Sequence, residues 1–472
     1  MRRSPLFVGR NKELGILEDA YASSTFQMVV VYGRRRVGKT RLLQEFSASK
    51  PRVVYFTARE TSAARNLQLL SEVLLNTAGS PSNATPVFTS MDAALRAAFE
   101  RGQDERLVLV IDEFPYLAAS NPEVPSLLQE LIDRNHSSSR LMLILCGSSM
   151  SFMEHQVLGH QSPLYGRRTA QIRVEPFDAM DAAHMLPEAD PVRAVELYSL
   201  VGGVPLYLEQ LDATRTTEWN IGNRMLGQGR FLYAEPENFL LQEVRSPALY
   251  NAVTDAVASG YTRANDIASA CGMSSSAVAT YLKSLSELGI VGRFEPVGPH
   301  SRKDVRYYLT DNLFRFWHTF VPRYGTLVDT GMEAEAARRI VRRDLSTYVG
   351  HVFEVVCRQW VRCQMACGGI DMLPRALGSW WGTDPARRER TDVDVVAKGL
   401  DGELLVGECK WETAPVGSDV IGVLAGRAEL VDADATDVRM LVFSKSGFTS
   451  ECETEARRRG NVRLVGVEEI FG

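Results

Sequence analysis

One run of eight residues near the N-terminus has the types and the order that hold a polyphosphate. Gly33-Arg34-Arg35-Arg36-Val37-Gly38-Lys39-Thr40 reads GxxxxGKT. Glycines at both ends let the backbone wrap a phosphate, and the amides of the following helix start point at it. The Lys39 ammonium suits β- and γ-phosphates, and the Thr40 hydroxyl suits Mg2+. With Arg41 next on the helix, this run is the candidate cradle for ATP. Arg34, Arg35 and Arg36 either add positive field to the loop or are plain exposed charges.

A second feature completes that chemistry. The apolar run Leu107–Ile111 ends in Asp112-Glu113. Asp112 is placed to hold Mg2+ through its water shell, and Glu113, one residue on, to polarise an attacking water. The glutamate favours hydrolysis over simple nucleotide binding. Two further candidates follow. Ser148, after the run Leu141–Cys146, either meets the γ-phosphate or the water, or caps a helix. Arg167 either contacts phosphate, in cis or from a neighbouring subunit, or is structural.

A third constellation lies near the C-terminus. Glu408 and Lys410 are two apart on an expected strand, Glu403–Trp411, so both leave the same face. Asp394, on the strand before, can come alongside, and Glu354 lies on a preceding helix. Asp394 and Glu408 are oxygen ligands for Mg2+ or Mn2+, and Lys410 suits a scissile phosphate. Arg338, Arg339, Arg342 and Arg343, with Arg387, Arg388 and Arg390, offer charge to a polyphosphate backbone. The alternative is a salt-bridge cluster around Lys410 with no chemistry.

These residues need particular elements behind them. Short apolar runs at Met28–Tyr32, Val53–Phe56, Leu107–Ile111, Leu141–Cys146 and Ile172–Val174 alternate with helical patterns at 40–48, 61–77, 91–100 and 123–135. That rhythm predicts an α/β fold, a P-loop NTPase with a parallel sheet of the ASCE type, over residues 1–180. Residues 181–245 read as a helical lid interrupted at Gly202-Gly203-Val204-Pro205. Residues 246–325 read as a winged helix-turn-helix: helices at 248–259, 262–268 and 274–288, then paired strands near 289–294 and 306–309. Its expected recognition helix, 274–288, carries Lys283 as its only basic residue. That is thin for phosphate contacts, so an intramolecular or protein-contact role competes with duplex DNA binding through Arg302 and Lys303 of the wing. Residues 326–472 read as an α/β domain with strands at Asp392–Ala397, Glu403–Trp411, Val438–Phe443 and Val462–Val465. His318, in the aromatic helix 311–320, reads as a packing histidine.

Composition sets the bounds. The 472 residues carry a formal net charge of −5, with 45% hydrophobic and 24% charged residues. Wholesale disorder and a coiled-coil rod are excluded. Seven cysteines in apolar or mixed surroundings read as free thiols in a reducing, cytoplasmic setting. No stretch approaches the ~20 apolar residues of a membrane span, so a membrane is not among the expected partners. Those expected are ATP, double-stranded DNA, and further copies of the chain or a signalling protein.

Taken together, the chain resembles archaeal and bacterial P-loop ATPases related to the AAA+/STAND branch, with a C-terminal domain of the restriction-endonuclease-like superfamily. The resemblance rests on Phe7-Val8-Gly9-Arg10, Gly33–Thr40, Asp112-Glu113, Leu164-Tyr165-Gly166-Arg167, Gly202-Gly203-Val204-Pro205, Phe314-Arg315-Phe316-Trp317, Phe353-Glu354, Trp380-Trp381-Gly382, Asp394 and Gly407-Glu408-Cys409-Lys410-Trp411. It implies that Val8, Gly9 and Arg10 approach the adenine and that Pro205, with Gly203 and Val204, helps close the site. It also implies PD-(D/E)xK-type roles for Glu354, Asp394, Glu408 and Lys410. Asp392 stands where the family often has glutamate. The reading that follows is an ATP-hydrolysing switch coupled to a DNA-directed, nucleolytic C-terminal domain. Its competitors are a non-nucleolytic ATPase scaffold and a DNA-binding regulator with a degenerate nuclease fold.

Overall fold

The structure, a computed structural model, describes residues 7–76, 87–385 and 387–472. The chain divides into two compact units, 1–176 and 177–472.

In the first unit five strands make one parallel sheet in the order β2-β3-β4-β1-β5. They are β1 (Gln27–Tyr32), β2 (Val53–Thr57), β3 (Leu107–Asp112), β4 (Leu141–Gly147) and β5 (Ala170–Arg173). β3 and β4 are buried along their whole length, which explains their unbroken apolar sequence: helices cover both faces. Alternate residues feed two cores. Val29, Val31, Val108 and Val110 pack with Leu17, Leu42, Leu43 and Phe46 of the helices Asn11–Ala22 and Lys39–Ala48. Met28, Val30, Leu109 and Ile111 pack with Leu70, Leu95 and Leu128 of the helices Ala63–Asn76, Met91–Arg101 and Val124–Asn135. The helix expected at 61–77 is described as Ala63–Asn76; residue 77 lies outside the described residues.

The second unit has three cores, and the largest joins segments far apart in the chain. The helices Pro191–Val201, Asn312–Asp329 and Leu345–Cys367 bury Val195, Leu197, Phe316, Phe320, Val352 and Phe353 together. Asn312 Nδ2 donates to Tyr198 O at 2.9 Å and Tyr348 Oη to Ser199 O at 2.9 Å. Segments expected as a lid (181–245) and as part of the C-terminal domain (326–472) thus share one interior. The aromatic residues of Asn312–Asp329 face inward, as packing. His318 is buried, with Nδ1 2.5 Å from Asp255 Oδ1.

Three helices, Pro247–Ala258, Ala264–Cys271 and Ser275–Glu287, precede β6 (Val291–Phe294) and β7 (Arg306–Leu309), which pair antiparallel. The last sheet has the order β12-β11-β10-β9-β8. Its strands are β8 (Pro374–Asp384), β9 (Glu389–Gly399), β10 (Glu403–Lys410), β11 (Asp437–Ser444) and β12 (Val462–Gly466). β8-β9-β10 run antiparallel, and β10-β11-β12 run parallel. β8 was not expected from the sequence.

The connection between β6 and β7 docks on that sheet. Val297 N donates to Ser379 O at 2.9 Å, and Trp381 Nε1 donates to Asp304 O at 3.1 Å. Val297 belongs to the sheet's own core, and the Arg306 guanidinium lies 4.8 Å from the Trp381 ring centre. Among the described residues no helix is long and apolar enough to cross a membrane.

Candidate functional site

In the first unit the phosphate loop follows β1 and leads into the helix Lys39–Ala48. Gly33 has φ 155°, and a Cβ there would stand 2.3 Å from Val174 O, so only glycine fits. Gly38, at φ 93°, turns the chain into the helix. Lys39 is buried and folds back on the loop, donating from Nζ to Gly33 O at 2.8 Å and Arg34 O at 2.9 Å. Arg36 takes a left-handed backbone, φ 72°. Arg35 donates to Tyr116 Oη at 3.3 Å, and Arg41 is exposed on the first helical turn.

The end of β3 lies beside this loop. Thr40 Oγ1 donates to Asp112 Oδ2 at 2.9 Å. Tyr55, from β2, donates its phenol to the same oxygen at 2.9 Å, and Glu113 N donates to Asp112 Oδ1 at 3.0 Å. Burial, then the Asp112 carboxylate, pushes the Tyr55 phenol far above its ordinary range, so it stays a donor. Glu113 sits at φ 53°, a left-handed position. Ser148, buried at the end of β4, donates to its carboxylate at 3.0 and 3.2 Å. A hydroxyl and a carboxylate side by side are hard oxygen donors, and they fit Mg2+. Tyr55 escaped the sequence reading because it looks like any half-buried strand residue; only the register Thr57↔Asp112 brings β2 to the site.

The Arg10 guanidinium donates to Val37 O at 2.9 Å and to Glu13 at 3.1 Å, which ties the Val8-Gly9-Arg10 segment to the phosphate loop. Pro205 opens the helix Pro205–Leu208 in the second unit. Arg167 is a correction for the cis reading. Nε and Nη2 grip the Asp133 carboxylate at 2.8 and 2.7 Å, and Nη1 donates to Pro163 O at 2.8 Å. Asp133 lies on the helix leading to the start of β4, and Thr169 N bonds Met28 O at the start of β1. This is the strand end opposite the phosphate loop, so Arg167 does not reach the site of its own chain.

In the second unit the acidic residues do come together, but around cations. Glu408 is 8% exposed; its Oε1 accepts from Lys410 Nζ at 2.8 Å and its Oε2 from Arg427 at 2.8 Å. Asp394 Oδ2 accepts from Cys409 N at 2.8 Å. Burial, then Glu354 and Glu408, push the Asp394 carboxyl up to about 7. Burial pulls the Lys410 ammonium down, and the Glu408 carboxylate more than restores it, leaving a net rise. Glu354 pairs with His351 at 3.4 Å and Arg358 at 3.8 Å. Among the described residues no group of three or more His, Cys, Asp or Glu is arranged to hold a metal ion. Arg427, on the helix Asp419–Val431, was not expected here; no motif marks it.

Comparison with known proteins agrees with the first of these sites. Residues 7–211 match the family described as an ATPase domain predominantly from Archaea. Residues 317–420 match archaeal and bacterial proteins of unknown function. The uncharacterized protein MJECL04 of Methanocaldococcus jannaschii is 28% identical over 414 residues, covering 86% of this chain and 88% of that one. The uncharacterized ATP-binding protein MJ0423 of the same organism is 42% identical over 45 residues, 10% of this chain and 76% of that one. The solved Walker-type ATPase PABY2304 of Pyrococcus abyssi is 19% identical, with a TM-score of 0.49 over 66% of this chain and 96% of that one. The phosphate loop lies within the residues that match an ATPase domain, and the protein is an ATPase.

Proposed function

We propose that this ATPase is a switch whose second unit works as a non-nucleolytic scaffold with a degenerate restriction-endonuclease-like core. In the ATPase unit, Lys39 and the loop amides hold the phosphates. Thr40 and Asp112 hold Mg2+, which when bound screens phosphate charge. Glu113 takes a proton from the attacking water. Ser148 orients Glu113, which links the end of β4 to the hydrolytic group.

In the second unit, residues 181–245 are read as the lid and 246–325 as a winged helix. Val297 in the neighbouring core and the Trp381–Asp304 bond occupy the wing within the chain. That favours an internal role for the wing over sequence readout. The observation that carries the non-cutting reading is the Lys410–Glu408–Arg427 sandwich. A buried carboxylate with a cation on each oxygen has already met its electrostatic need, and a metal would have to displace one of them. Double-stranded DNA remains the proposed partner class, through exposed arginines such as Arg388 and Arg390 at the tip of the β8–β9 hairpin.

The second reading is a metal-dependent nuclease. It is favoured by one observation: Asp394 is a carboxyl raised to about 7 beside Glu408 and Lys410, which a divalent cation would re-ionise. The test is cleavage of supercoiled and linear DNA with Mg2+ or Mn2+, with and without ATP. It compares wild type, Lys39→Ala and Lys410→Ala. No cutting by any of them supports the scaffold. Cutting lost in Lys410→Ala establishes the nuclease.

A further inference from the structure

Asp112 accepts three donors, and one of them, Tyr55, lies outside the nucleotide motifs. Thr40 Oγ1 and Tyr55 Oη both reach Oδ2 at 2.9 Å, and Glu113 N holds Oδ1 at 3.0 Å. Tyr55 comes from β2, the edge strand next to β3. Its ring lies in the face that packs against the Lys39–Ala48 helix, with Val53 beside it. Asp112 itself is 2% exposed, so a carboxylate at this depth needs its donors.

We propose that Tyr55 is a positioning residue for Mg2+: its phenol fixes the rotation of the Asp112 carboxylate so that Thr40 and Asp112 present their oxygens to the cation together. The inference rests on the reading of Thr40 and Asp112 as the Mg2+ residues. Two physical arguments carry it. A carboxylate turns about its Cβ–Cγ bond, and the single backbone donor on Oδ1 leaves Oδ2 to be set by side chains. A Thr40 hydroxyl that gives its hydrogen to Asp112 keeps its lone pairs for a cation, but only while Oδ2 stays where it is. The phenol keeps it there from the opposite element.

The test is Tyr55→Phe, which keeps the ring and its packing. Binding of fluorescent ADP is titrated with Mg2+, and the same titration is read in ATP hydrolysis. The expected result is a rise of about tenfold in the Mg2+ concentration at half-effect in both assays, the size of one charge-assisted hydrogen bond. Nucleotide affinity in EDTA stays as in wild type. An unchanged Mg2+ half-effect overturns the proposal. Equal weakening with and without Mg2+ also overturns it, because that is a packing defect. If Tyr55→Phe does not fold, 3-fluorotyrosine at position 55 of the full chain decides. Its fluorine resonance moves when Mg2+ is added to the ADP-bound protein, and a resonance indifferent to Mg2+ refutes the role. Wild-type nucleotide binding that ignores Mg2+ sinks instead the underlying assignment of Thr40 and Asp112.

Discussion

Asp394→Asn is a substitution whose effect follows from one carboxyl. In the folded protein that group keeps its proton up to about pH 7, whereas unfolded it lets go near 3.8. The folded state therefore binds an extra proton between those values. Stability loses ground as pH rises through this window and levels off above it. The ceiling on that loss is about 4 kcal/mol at pH 8. Lys410 and partial access to water reduce it, so we expect Asp394→Asn to gain about 2 kcal/mol at pH 8, or roughly 5 °C in the unfolding midpoint. Asparagine retains an oxygen for Cys409 N, so the backbone contact survives. By pH 5 the gain shrinks to about a third, because the wild-type carboxyl is then protonated when folded. All six tryptophans (Trp219, Trp317, Trp360, Trp380, Trp381 and Trp411) lie in residues 177–472. Intrinsic fluorescence therefore reads the second unit alone. A variant no more stable than wild type at pH 8, or equally stabilised at pH 5 and pH 8, refutes the reasoning.

Three other outcomes are expected. Gly33→Ala forces a Cβ toward Val174 O and strains a backbone at φ 155°; it lowers the stability of the first unit by about 3 kcal/mol and abolishes nucleotide binding, with the tryptophan signal unchanged. Arg427→Ala leaves Glu408 with Lys410 as its remaining cation and destabilises the second unit by about 2 kcal/mol in urea titration, with little dependence on salt because the carboxylate is buried. Arg167→Ala breaks a partly exposed pair with Asp133, costs less than about 1 kcal/mol, and leaves ATP turnover of the dilute protein within twofold. A tenfold fall in that turnover shows that Arg167 serves a neighbouring copy.

What was legible in the sequence tracks how local each signal is. The loop Gly33–Thr40 and the pair Asp112-Glu113 were legible because a glycine turn between strand and helix, and carboxylates ending an apolar strand, are set by residues adjacent in the chain. Glu408 and Lys410 were placed on one face by strand periodicity alone. Tyr55 and Arg427 were not legible, since each meets its carboxylate across tertiary distance, 57 and 19 residues away. Arg167 stayed open between a cis, a neighbouring-subunit and a structural role, because its position after a loop does not tell which end of the sheet it occupies. β8 went unseen: Pro374, Gly378, Gly382 and Asp384 break the alternation that marks a strand, and its pairing with β9 carries it instead. The shared core of 191–201, 312–329 and 345–367 was hidden because boundaries drawn from local rhythm carry no information on which helices meet.

The central claim, an ATPase that drives a unit which does not cut, is tested in one reaction. Supercoiled DNA, ATP and Mg2+ or Mn2+ are mixed with wild type, Lys39→Ala or Lys410→Ala, and phosphate release and nicking are read together. Wild type and Lys410→Ala are expected to release phosphate and Lys39→Ala to release none, with DNA intact in all three. Nicking that disappears in Lys410→Ala, or phosphate release that survives in Lys39→Ala, contradicts that claim.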